Sequence, residues 1–452
     1  MSGSPDGIYM PGVVDPGVPI PNPTSPYWLS KPSVYSKWQS PWPNSTVDVA
    51  IIGSGMSAMG LARALYQKRP NIRIIIIEAR ELCSGATGRN GGHIKTMSYG
   101  TWPERKRLMG VDEAIRVTAF EQSHVSEVVT CIQTNNIDCD LELLEGLDTY
   151  YEQGLFQRSI TALDDLRKHA PSLAEKYTVY STREELSRFK CSEKCVGAIG
   201  VKCATVWPYR FVTGMLGQLI EKSGLLVETN TVVQQVDERE GDDFAVVKTN
   251  RGNIQAKHVV HATNGWLGHL VHELRPFISP VRGNVLRQMP LSAKYRLNNS
   301  FWSRYADKDY DYLIQRAQGD IIVGRASMGR AATGDDSTTD IQPQAHLRGI
   351  PSQIFDLEDQ NFGFKITHAW SGILGYTQDK SPLVGQLPYP GRRHQWVCCG
   401  YQGLGMVKAF KTGQMVAMMI LGEEIPQDYP RSMLLTSDRI KAMEKTLSKL
   451  KL

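Results

Sequence analysis

The clearest pattern of apolar and polar positions lies in residues 47–92 of this 452-residue chain. The apolar run Val47–Ile52 contains a single acid and predicts a buried strand. Residues 56–67 predict a helix, and a second apolar run at residues 72–77 predicts another parallel strand. A strand, a helix and a strand within about 30 residues indicate a βαβ unit.

Small residues occupy the turn between the first strand and the helix. Gly53, Gly55 and Ala58 follow the pattern G-x-G-x-x-A. In such a turn the first glycine permits the tight bend, the second lets the backbone approach a pyrophosphate, and the small third residue lets the helix pack closely. The helix begins at Met56 and Ser57, whose N–H groups would face the phosphates.

The second strand ends in Glu78, about 20 residues beyond the glycines, where a carboxylate would hold the ribose hydroxyls of a dinucleotide. The glycines, the helix and the acid together predict a dinucleotide-binding unit. A βαβ unit that binds no nucleotide remains the alternative.

The rest of the chain alternates between helical and strand patterns. The proline-rich residues 1–46 predict an extended arm that packs on the body through its aromatic residues. Residues 100–200 are predicted to be mainly helical, with a capping box at Ser181 and Glu184. The predicted helices cover residues 111–135, 157–169, 183–190, 208–222 and 343–360. The predicted strands cover residues 225–228, 231–238, 243–249, 254–260, 361–370 and 396–399, with a hairpin of 311–316 and 320–325 turning at Gly319.

Composition limits the possible classes of function. The chain is 41% hydrophobic and 21% charged, and its net charge of +5 is small and scattered, which argues against nucleic acid as a partner. No apolar run reaches 18 residues and no secretory signal is seen, so neither a membrane partner nor secretion is expected. Ser448-Lys449-Leu450 is followed by two residues, so we expect a cytoplasmic rather than a peroxisomal protein.

The eight cysteines are not expected to form disulfides, because no secretory signal accompanies them. Cys191, Cys195 and Cys203 lack a fourth ligand at zinc-finger spacing, so no metal site is predicted.

A run rich in glycine and small polar residues follows the second strand. Residues 83–93 read C-S-G-A-T-G-R-N-G-G-H, where an NAD-binding domain normally continues with another crossover helix. Such a run lets the backbone lie against a flat or charged ligand. Here the chain resembles the FAD enzymes of the D-amino-acid oxidase/glycine oxidase/sarcosine oxidase superfamily, and S-G-A-T-G-R-N-G-G is most similar to their glutamylputrescine-oxidase-like members.

Two later stretches extend this resemblance. Residues 259–266 resemble the family's returning strand and its A-T-G-x-W turn, with Asn264 where glycine is usual. Asparagine tolerates the positive φ that such a turn requires. Residues 400–406 form a glycine-rich turn into a predicted helix that ends near Leu421, and they resemble the C-terminal FAD motif. A helix N-terminus there would stabilise negative charge on reduced flavin.

The resemblance implies an α/β fold in which a doubly wound, Rossmann-like FAD-binding domain is interleaved with a substrate domain of antiparallel sheet and helices. The implied FAD-binding domain comprises residues 47–100, 200–270 and 371–425, and the substrate domain comprises residues 101–199 and 271–370. Residues 426–452 are left as a C-terminal tail.

The implied cofactor is non-covalent FAD, because the cysteine that attaches FAD in sarcosine oxidases would align near Gly372. Attachment through His93 remains an alternative. The implied FAD-binding residues are Gly53, Gly55, Met56, Ser57, Ala58, Glu78, Ala79, Arg80, Ser84, Thr87, Gly88, Arg89, Asn90, Gly91, Gly92, His93, Val233, Ala262, Thr263, Asn264, Gly372, Gly403, Leu404, Gly405 and Met406.

The implied reaction is oxidation of the C–N bond of a small amine or amino acid by hydride transfer to flavin N5, giving an imine and, with O2, hydrogen peroxide. Arg316 falls where glycine-oxidase-like relatives carry a carboxylate-binding arginine, and a structural ion pair is the equal alternative. Tyr312 and Tyr376 are candidates for an apolar cage around the amine. The relatives' second carboxylate-binding arginine would align near Leu374 and their oxygen-activating lysine near Ile322, so a larger or less acidic amine is admissible and rapid reaction with O2 is not assured.

Three other functions remain open. An enzyme of the same fold could oxidise a specialised metabolite and pass electrons to another acceptor. A catalytically silent flavin-binding partner protein would keep the cofactor motifs, and the proline-rich arm motivates that alternative. An NAD-dependent dehydrogenase is disfavoured because the chain has only one complete fingerprint.

Overall fold

The computed structural model describes residues 15–238, 241–290, 296–307, 309–325, 332–356 and 364–450. Within these residues the strands are β1 (Val47–Ile52), β2 (Ile74–Ile77), β3 (His93–Ile94), β4 (Glu142–Tyr150), β5 (Tyr177–Tyr180), β6 (Gly197–Thr205), β7 (Leu226–Glu228), β8 (Val233–Asp237), β9 (Ala245–Thr249), β10 (Gly252–His261), β11 (Ile278–Pro290), β12 (Ser300–Ala306), β13 (Asp309–Gln315), β14 (Ile321–Arg325), β15 (Phe364–Thr377), β16 (Leu383–Gln386) and β17 (Gln395–Cys399). The α-helices are α1 (Met56–Lys68), α2 (Ser98–Met109), α3 (Val111–Thr134), α4 (Gln153–His169), α5 (Pro171–Ala174), α6 (Arg183–Arg188), α7 (Pro208–Ser223), α8 (Leu267–Leu270), α9 (Ile341–Gly349), α10 (Pro351–Ile354), α11 (Ala409–Ile420) and α12 (Ser437–Leu450).

The first sheet is built on parallel strands in the order β17-β10-β1-β2-β7, with β16 antiparallel at one edge. Ile52 is in register with Ile77 on one side and with His261 on the other. Strands β1, β2 and β10 therefore end at the same edge of the sheet. In open parallel sheets the ligand crevice lies at such an edge.

Glycines allow helices α1 and α11 to approach closely. A Cβ at Gly60 would overlap the Phe410 carbonyl, and a Cβ at Gly413 would overlap the Ser57 carbonyl. Because α11 packs directly on α1, the glycine-rich turn that precedes α11 is brought to the β1–α1 turn, although the two turns are far apart in sequence.

The second sheet is largely antiparallel and has the order β15-β11-β14-β13-β12-β4-β6-β3, with β5 beside β6. Strand β4 pairs in parallel with β12, and the long strands β11 and β15 pair along their whole length. The two sheets and their helices confirm the predicted α/β class. The division into two interleaved domains stays a prediction. Strands β6 and β15 of the second sheet each run across a predicted domain boundary, at residues 199/200 and 370/371.

The predicted βαβ unit and the hairpin at Gly319 are confirmed, whereas several other elements differ. Residues 100–200 are mainly helical, as predicted, but they also contain the strands β4 and β5 and the start of β6. The capping box lies one residue later than predicted, at Thr182 and Glu185. The helix predicted over residues 343–360 is broken, because Pro351 starts a separate short helix and residues 357–360 lie outside the described residues.

Two further elements near the C-terminus also differ from the prediction. Strand β15 continues to Thr377, beyond the predicted end at Trp370, and the start of that prediction, residues 361–363, lies outside the described residues. Helix α12 occupies most of the segment that was left as a tail.

The arm packs against the body as predicted, through buried aromatic residues. Trp28 is fully buried and its indole Nε1 donates to the carbonyl of Asn90 at 2.6 Å. The indole of Trp207 in turn donates to the carbonyl of Trp28 at 2.6 Å. Among the described residues, no helix combines the length and the apolar character that crossing a membrane requires.

Candidate active site

The β1–α1 turn lines a glycine-rich cleft at the carboxyl edge of the first sheet. Gly53 has φ +100°, and a Cβ there would lie 2.7 Å from the carbonyl oxygen of Ala262 on the returning strand. A Cβ at Gly55 would lie 3.0 Å from Oγ1 of Thr87. The backbone N–H of Met56 donates to the same Thr87 hydroxyl at 3.1 Å. The close approach of Ala262 leaves no room for a side chain at Gly53, and Thr87 leaves little room for one at Gly55.

Glu78 is held in a fixed position at this cleft. Its Oε2 accepts from the Ser54 hydroxyl at 2.6 Å, and its Oε1 accepts from the backbone N–H of Arg80 at 3.0 Å. The Ser54 hydroxyl also accepts from the backbone N–H of Cys83 at 2.8 Å. The carboxylate is thus oriented before any ligand binds.

The cleft is large enough for an extended ligand and contains polar groups that the protein does not satisfy. It holds about 1230 Å³ of empty space. Thr263 and Trp266 line it, and within the described part of the chain neither Oγ1 of Thr263 nor Nε1 of Trp266 has a hydrogen-bond partner. Buried donors usually have partners, so these two atoms are suited to a polar ligand such as a dinucleotide.

A second cavity, the aromatic cavity, adjoins the glycine-rich cleft and holds about 760 Å³ of empty space. Its aromatic residues are Trp302, Tyr310, Tyr312 and Tyr376. The residues that line both the cleft and the aromatic cavity are Ala86, Asn90, Leu374, Gly403 and Met406. A ligand bound along the cleft can therefore extend its end into the aromatic cavity.

The Tyr312 ring is fixed between two glycines. A Cβ at Gly91 or at Gly324 would overlap this ring, and Gly324 is the strand partner of Tyr312 between β13 and β14. The absence of side chains at these two positions sets the orientation of Tyr312 at the cavity wall.

The charged side chains that line the aromatic cavity are cations, and each is paired with a carboxylate that does not line it. Its lining includes the cationic side chains of Arg89, Lys95 and Arg325, and among the described residues no carboxylate lines it. Lys95 is fully buried, with Nζ 3.1 Å from Oδ1 of Asp148 and 4.2 Å from the ring centroid of Trp302. Burial lowers the pKa of Lys95, and the nearby Asp148 carboxylate opposes that shift.

His93 is neutral in this environment. Its Nδ1 lies 2.7 Å from the Ser300 hydroxyl. Burial and the positive charge of Lys95 lower the pKa of His93 to about 3. At neutral pH the ring therefore carries no charge.

The family model described as "DAO: FAD dependent oxidoreductase" matches residues 48–419. The chain belongs to the DAO family of FAD-dependent oxidoreductases. It is 27% identical over 395 residues to a probable oxidoreductase OrdL of Rhizobium meliloti, with 84% of each chain covered. It is 23% identical over 411 residues to the gamma-glutamylputrescine oxidoreductase of Escherichia coli, which covers 88% of this chain and 89% of the relative.

Solved structures of two other proteins share the fold. The glycine oxidase of Geobacillus kaustophilus superposes with a TM-score of 0.68 at 19% identity, covering 86% of this chain and 98% of that chain. The L-proline dehydrogenase of P. horikoshii gives a TM-score of 0.67 at 19% identity, covering 86% of this chain and all of that chain.

The residues at the cleft fit the FAD that a DAO-family member uses. The glycines at β1, the oriented Glu78 carboxylate and the unsatisfied donors at Thr263 and Trp266 suit a dinucleotide. The predicted cofactor residues that line the cleft are Gly53, Gly55, Met56, Ser57, Glu78, Ala79, Arg80, Thr87, Asn90, Val233, Ala262, Thr263, Asn264, Gly403, Gly405 and Met406.

The other predicted residues fall into two groups. The aromatic cavity, not the cleft, is lined by Arg89, Gly91, His93, Gly372, Leu404, Tyr312 and Tyr376. Neither space is lined by Ala58, Ser84, Gly88, Gly92 or Arg316. Three of this last group have packing roles: Ala58 is buried in the core, and a Cβ at Gly88 or Gly92 would meet the carbonyl of Cys83 or Val206. The Ser84 carbonyl accepts from Nε of Arg89 at 2.7 Å.

Arg316 does not lie at the aromatic cavity, contrary to the prediction that it binds a substrate carboxylate. Its side chain is only 4% exposed, and its Nη2 lies 2.5 Å from Oδ2 of Asp140. The guanidinium is also close to the rings of Trp28 and Trp207. The geometry therefore supports the alternative interpretation, in which Arg316 forms a structural ion pair.

The sequence motifs missed several residues at the site. Gly17, Val18 and Pro19 of the arm line the cleft, although they were predicted only to wrap the surface. Lys95, Trp302, Tyr310 and Arg325 line the aromatic cavity and belong to no motif. Lys95 lies two residues beyond the predicted run, and its closeness to that glycine-rich segment was the available signal in the sequence.

All eight cysteines are buried and free of disulfides, and none of them lines the cleft or the aromatic cavity. Among the described residues, no group of histidine, cysteine or acidic side chains is arranged to hold a metal ion.

Proposed function

We propose that this DAO-family protein oxidises the C–N bond of an amine or amino acid and that O2 is its final electron acceptor. The observation that carries the proposal is the shared wall between the glycine-rich cleft and the aromatic cavity. When bound, FAD supplies the redox chemistry: it accepts a hydride at flavin N5, the product imine is hydrolysed by water, and O2 yields hydrogen peroxide.

The buried aromatic cavity favours an uncharged amine. Lys95 and Arg325 lie at the wall, and none of the described carboxylates does. Lys95 is paired with Asp148, and Arg325 is paired with Asp309 and Asp311. The described part of the wall therefore offers no free counter-charge to an ammonium group. Burial itself lowers the pKa of an amine, because it disfavours the charged form. An amine that binds without its extra proton has the lone pair that C–H cleavage needs, so no dedicated base is required.

The aromatic rings give the amine its orientation. Tyr312 is fixed between Gly91 and Gly324, and Tyr376 lies beside Gly403, whose Cβ would be 2.9 Å from the Tyr376 hydroxyl. We propose that these two tyrosines hold the carbon chain of the substrate against the cofactor and keep water out. Orientation of this kind lowers the barrier by holding the reacting atoms in line.

The names of the relatives support the class of substrate. Two matched proteins are named gamma-glutamylputrescine oxidoreductase and glycine oxidase, and others are named D-amino acid dehydrogenase. An amine or amino acid is the substrate class common to those names.

The experiment is a visible spectrum of the purified protein before and after anaerobic addition of a panel of amines and amino acids. Bleaching of the flavin bands by one compound supports the proposal, and formation of hydrogen peroxide on readmission of air supports O2 as the acceptor. Bleaching without peroxide would indicate another electron acceptor. A yellow protein that no amine bleaches would contradict the proposed reaction.

Tyrosine variants test the proposed orientation. Tyr376→Ala and Tyr312→Ala should each slow anaerobic flavin reduction about tenfold. The matched control is Tyr180→Phe, since Tyr180 lies on β5, where it donates to Glu145 at 2.8 Å and lines neither space. Equal rates in all three variants would contradict the proposed role of the cavity.

We also propose that FAD is held without a covalent bond. The support is that no cysteine side chain lines the cleft or the aromatic cavity, and that Gly372 stands at the cavity wall. Acid precipitation should leave all of the yellow colour in the supernatant, whereas a yellow pellet would point to attachment through His93. The cytoplasmic location and the two-domain division stay predictions.

A further inference from the structure

A third cavity, the vestibule, continues from the aromatic cavity towards solvent. It holds about 1900 Å³ of empty space, and its rim includes the exposed side chains of Leu108 and Arg158. The wall that the vestibule shares with the aromatic cavity consists of Tyr310, Tyr376 and Leu404.

Two cations of the vestibule share a single buried carboxylate. Nη2 of Arg105 lies 2.5 Å from Oε1 of Glu121, and Nζ of Lys408 lies 3.3 Å from the same oxygen. Arg105, Lys408 and Glu121 are 9%, 3% and 1% exposed. Burial alone would raise the pKa of Glu121, but the two cations lower it to about 2, so the carboxylate is ionised at neutral pH.

This cluster carries more positive than negative charge. The carboxylates that line the vestibule do not cancel the excess, because each pairs with another cation: Glu104 with Lys380, Asp307 with Arg158 and Asp379 with Arg439. Nη1 of Arg105 is buried and has no hydrogen-bond partner within the described residues. A buried, unsatisfied cationic donor at a cavity wall is suited to an anion.

A second cluster repeats this arrangement nearby. Arg304 lines the vestibule and Lys95 lines the aromatic cavity, and both pair with Oδ1 of Asp148, at 3.0 Å and 3.1 Å. Two cations again share one carboxylate. The inner part of the vestibule is therefore positive on two sides.

We infer that the vestibule is an anion-binding subsite, in which Arg105 and Lys408 bind a carboxylate at the far end of an elongated amine substrate. The inference deepens the proposed amine oxidation and rests on it for the identity of the substrate. Leu404 lines both cavities, and Lys408 directly follows Val407, which lines the aromatic cavity. Because Tyr310, Tyr376 and Leu404 line both cavities, one elongated ligand can reach both the vestibule and the aromatic cavity.

Binding can be tested without turnover. The FAD-loaded protein is titrated calorimetrically with hexanoate and with 1-hexanol, which differ in charge but have the same chain length. Hexanoate should bind more tightly, and Lys408→Met should reduce the ratio of the two affinities about tenfold, because a charge-assisted contact is lost. An unchanged ratio in a folded Lys408→Met variant would overturn the inference.

A second substitution in the cluster of Arg105, Lys408 and Glu121 should restore the preference for hexanoate that Lys408→Met removes. Lys408→Met leaves Arg105 and Glu121 as a balanced pair, whereas Lys408→Met combined with Glu121→Gln leaves Arg105 as an uncompensated cation. The double variant should therefore recover the preference for hexanoate, although it contains the same change in packing at residue 408. If Lys408→Met does not fold, Arg105→Gln leaves a balanced pair of Lys408 and Glu121 and should show the same loss.

A substrate series separates this inference from the proposed function. Linear ω-amino carboxylates are compared with alkylamines of equal length, and anaerobic flavin reduction is measured for each. The carboxylates should be favoured only above a certain chain length, and Lys408→Met should remove that advantage. If neither series reduces the flavin, the proposed function fails, while the hexanoate titration still decides whether the vestibule binds carboxylates.

Discussion

Arg316 and Asp140 form an ion pair in which Nη2 lies 2.5 Å from Oδ2, and the guanidinium lies 5.0 Å and 5.4 Å from the ring centroids of Trp28 and Trp207. Trp28 belongs to the N-terminal arm, whereas Trp207 immediately precedes helix α7. Asp140 also pairs with Arg210 at 3.2 Å. Arg316 therefore joins the arm to the body. Its guanidinium already contacts a carboxylate and two aromatic rings of the protein.

Arg316→Gln should lower the free energy of unfolding by about 2–4 kcal/mol, because it removes a buried ion pair and two cation–π contacts. The KM for the amine substrate should not change. Urea denaturation of the FAD-loaded protein and steady-state kinetics measure the two effects. The control is Arg188→Gln, since Arg188 forms an exposed pair with Glu184 and its loss should cost less than about 1 kcal/mol. If the KM rises and the free energy of unfolding does not change, Arg316 binds the substrate and the structural role is wrong.

The arm should also help to retain the cofactor. Asp15 accepts from Nη2 of Arg275 at 2.6 Å and from the backbone N–H of Gly17 at 2.9 Å, and it lies 2.8 Å from Nδ1 of His269. Gly17 and His269 both line the glycine-rich cleft. Asp15→Asn should loosen this contact and increase the rate of FAD release about tenfold, as followed by the rise of free-flavin fluorescence.

A matched control for Asp15 is available on β1. Asp48 has similar side-chain exposure, pairs with Lys257 and accepts a backbone N–H from Arg73, but it does not line the cleft. Asp48→Asn should leave FAD release unchanged. Equal release rates for the two variants would mean that the arm does not retain the cofactor.

The sequence predicted the cleft better than the aromatic cavity, for a physical reason. The turn at Gly53 and the acid at Glu78 are parts of one local unit, so their spacing alone indicates their positions. Lys95, Trp302 and Arg325 meet only through the register of the second sheet, whose strands come from distant segments. Strand β4 was missed for the same reason, because its partners β6 and β12 are far away in sequence.

The error at Arg316 has a local cause. Arg316 was expected at the substrate because it falls where glycine-oxidase-like relatives carry a carboxylate-binding arginine. Residues four apart on a strand point to the same face, but this holds only while the strand continues. Strand β13 ends at Gln315, and the backbone of Arg316 already belongs to the turn, where its carbonyl accepts from the N–H of Gly319 at 2.8 Å. The alternation of faces therefore stops one residue before Arg316.

Gly324→Ala should reshape the aromatic cavity without weakening cofactor binding. A Cβ at this position would overlap the Tyr312 ring, so the ring must move. We expect the rate of anaerobic flavin reduction to fall about tenfold, because the substrate loses its orientation. The affinity for FAD, measured by titration of the apoprotein, should stay within about twofold of the original, since Gly324 does not line the cleft.

Two variants show whether Tyr312 carries that effect. In a Tyr312→Ala background, Gly324→Ala should cause little further loss, because there is no ring to displace. Gly349→Ala is the control, since a Cβ there meets no atom within 4 Å. Additive losses in the double variant would show that Gly324 acts independently of Tyr312.

His124 should make the protein less stable in mild acid. Its Nδ1 lies 2.8 Å from the Phe120 carbonyl and its Nε2 accepts from the backbone N–H of Lys411 at 3.2 Å, so the ring is a neutral tautomer with the proton on Nδ1. Burial lowers the pKa of His124 from 6.5 to about 3. Between these two values the unfolded chain binds a proton that the folded chain does not, so stability falls as pH falls below about 6.5.

His124→Gln should remove this contribution. The loss of unfolding free energy between pH 7.5 and pH 5.5, measured by urea denaturation, should be about 1.4 kcal/mol smaller in the variant than in the original protein, because one unit of pKa displacement corresponds to that energy. The packing cost of the substitution appears equally at both pH values and cancels in the difference. An identical pH dependence in the two proteins would mean that His124 is protonated inside the fold, and its bond from Lys411 N–H would then have to break.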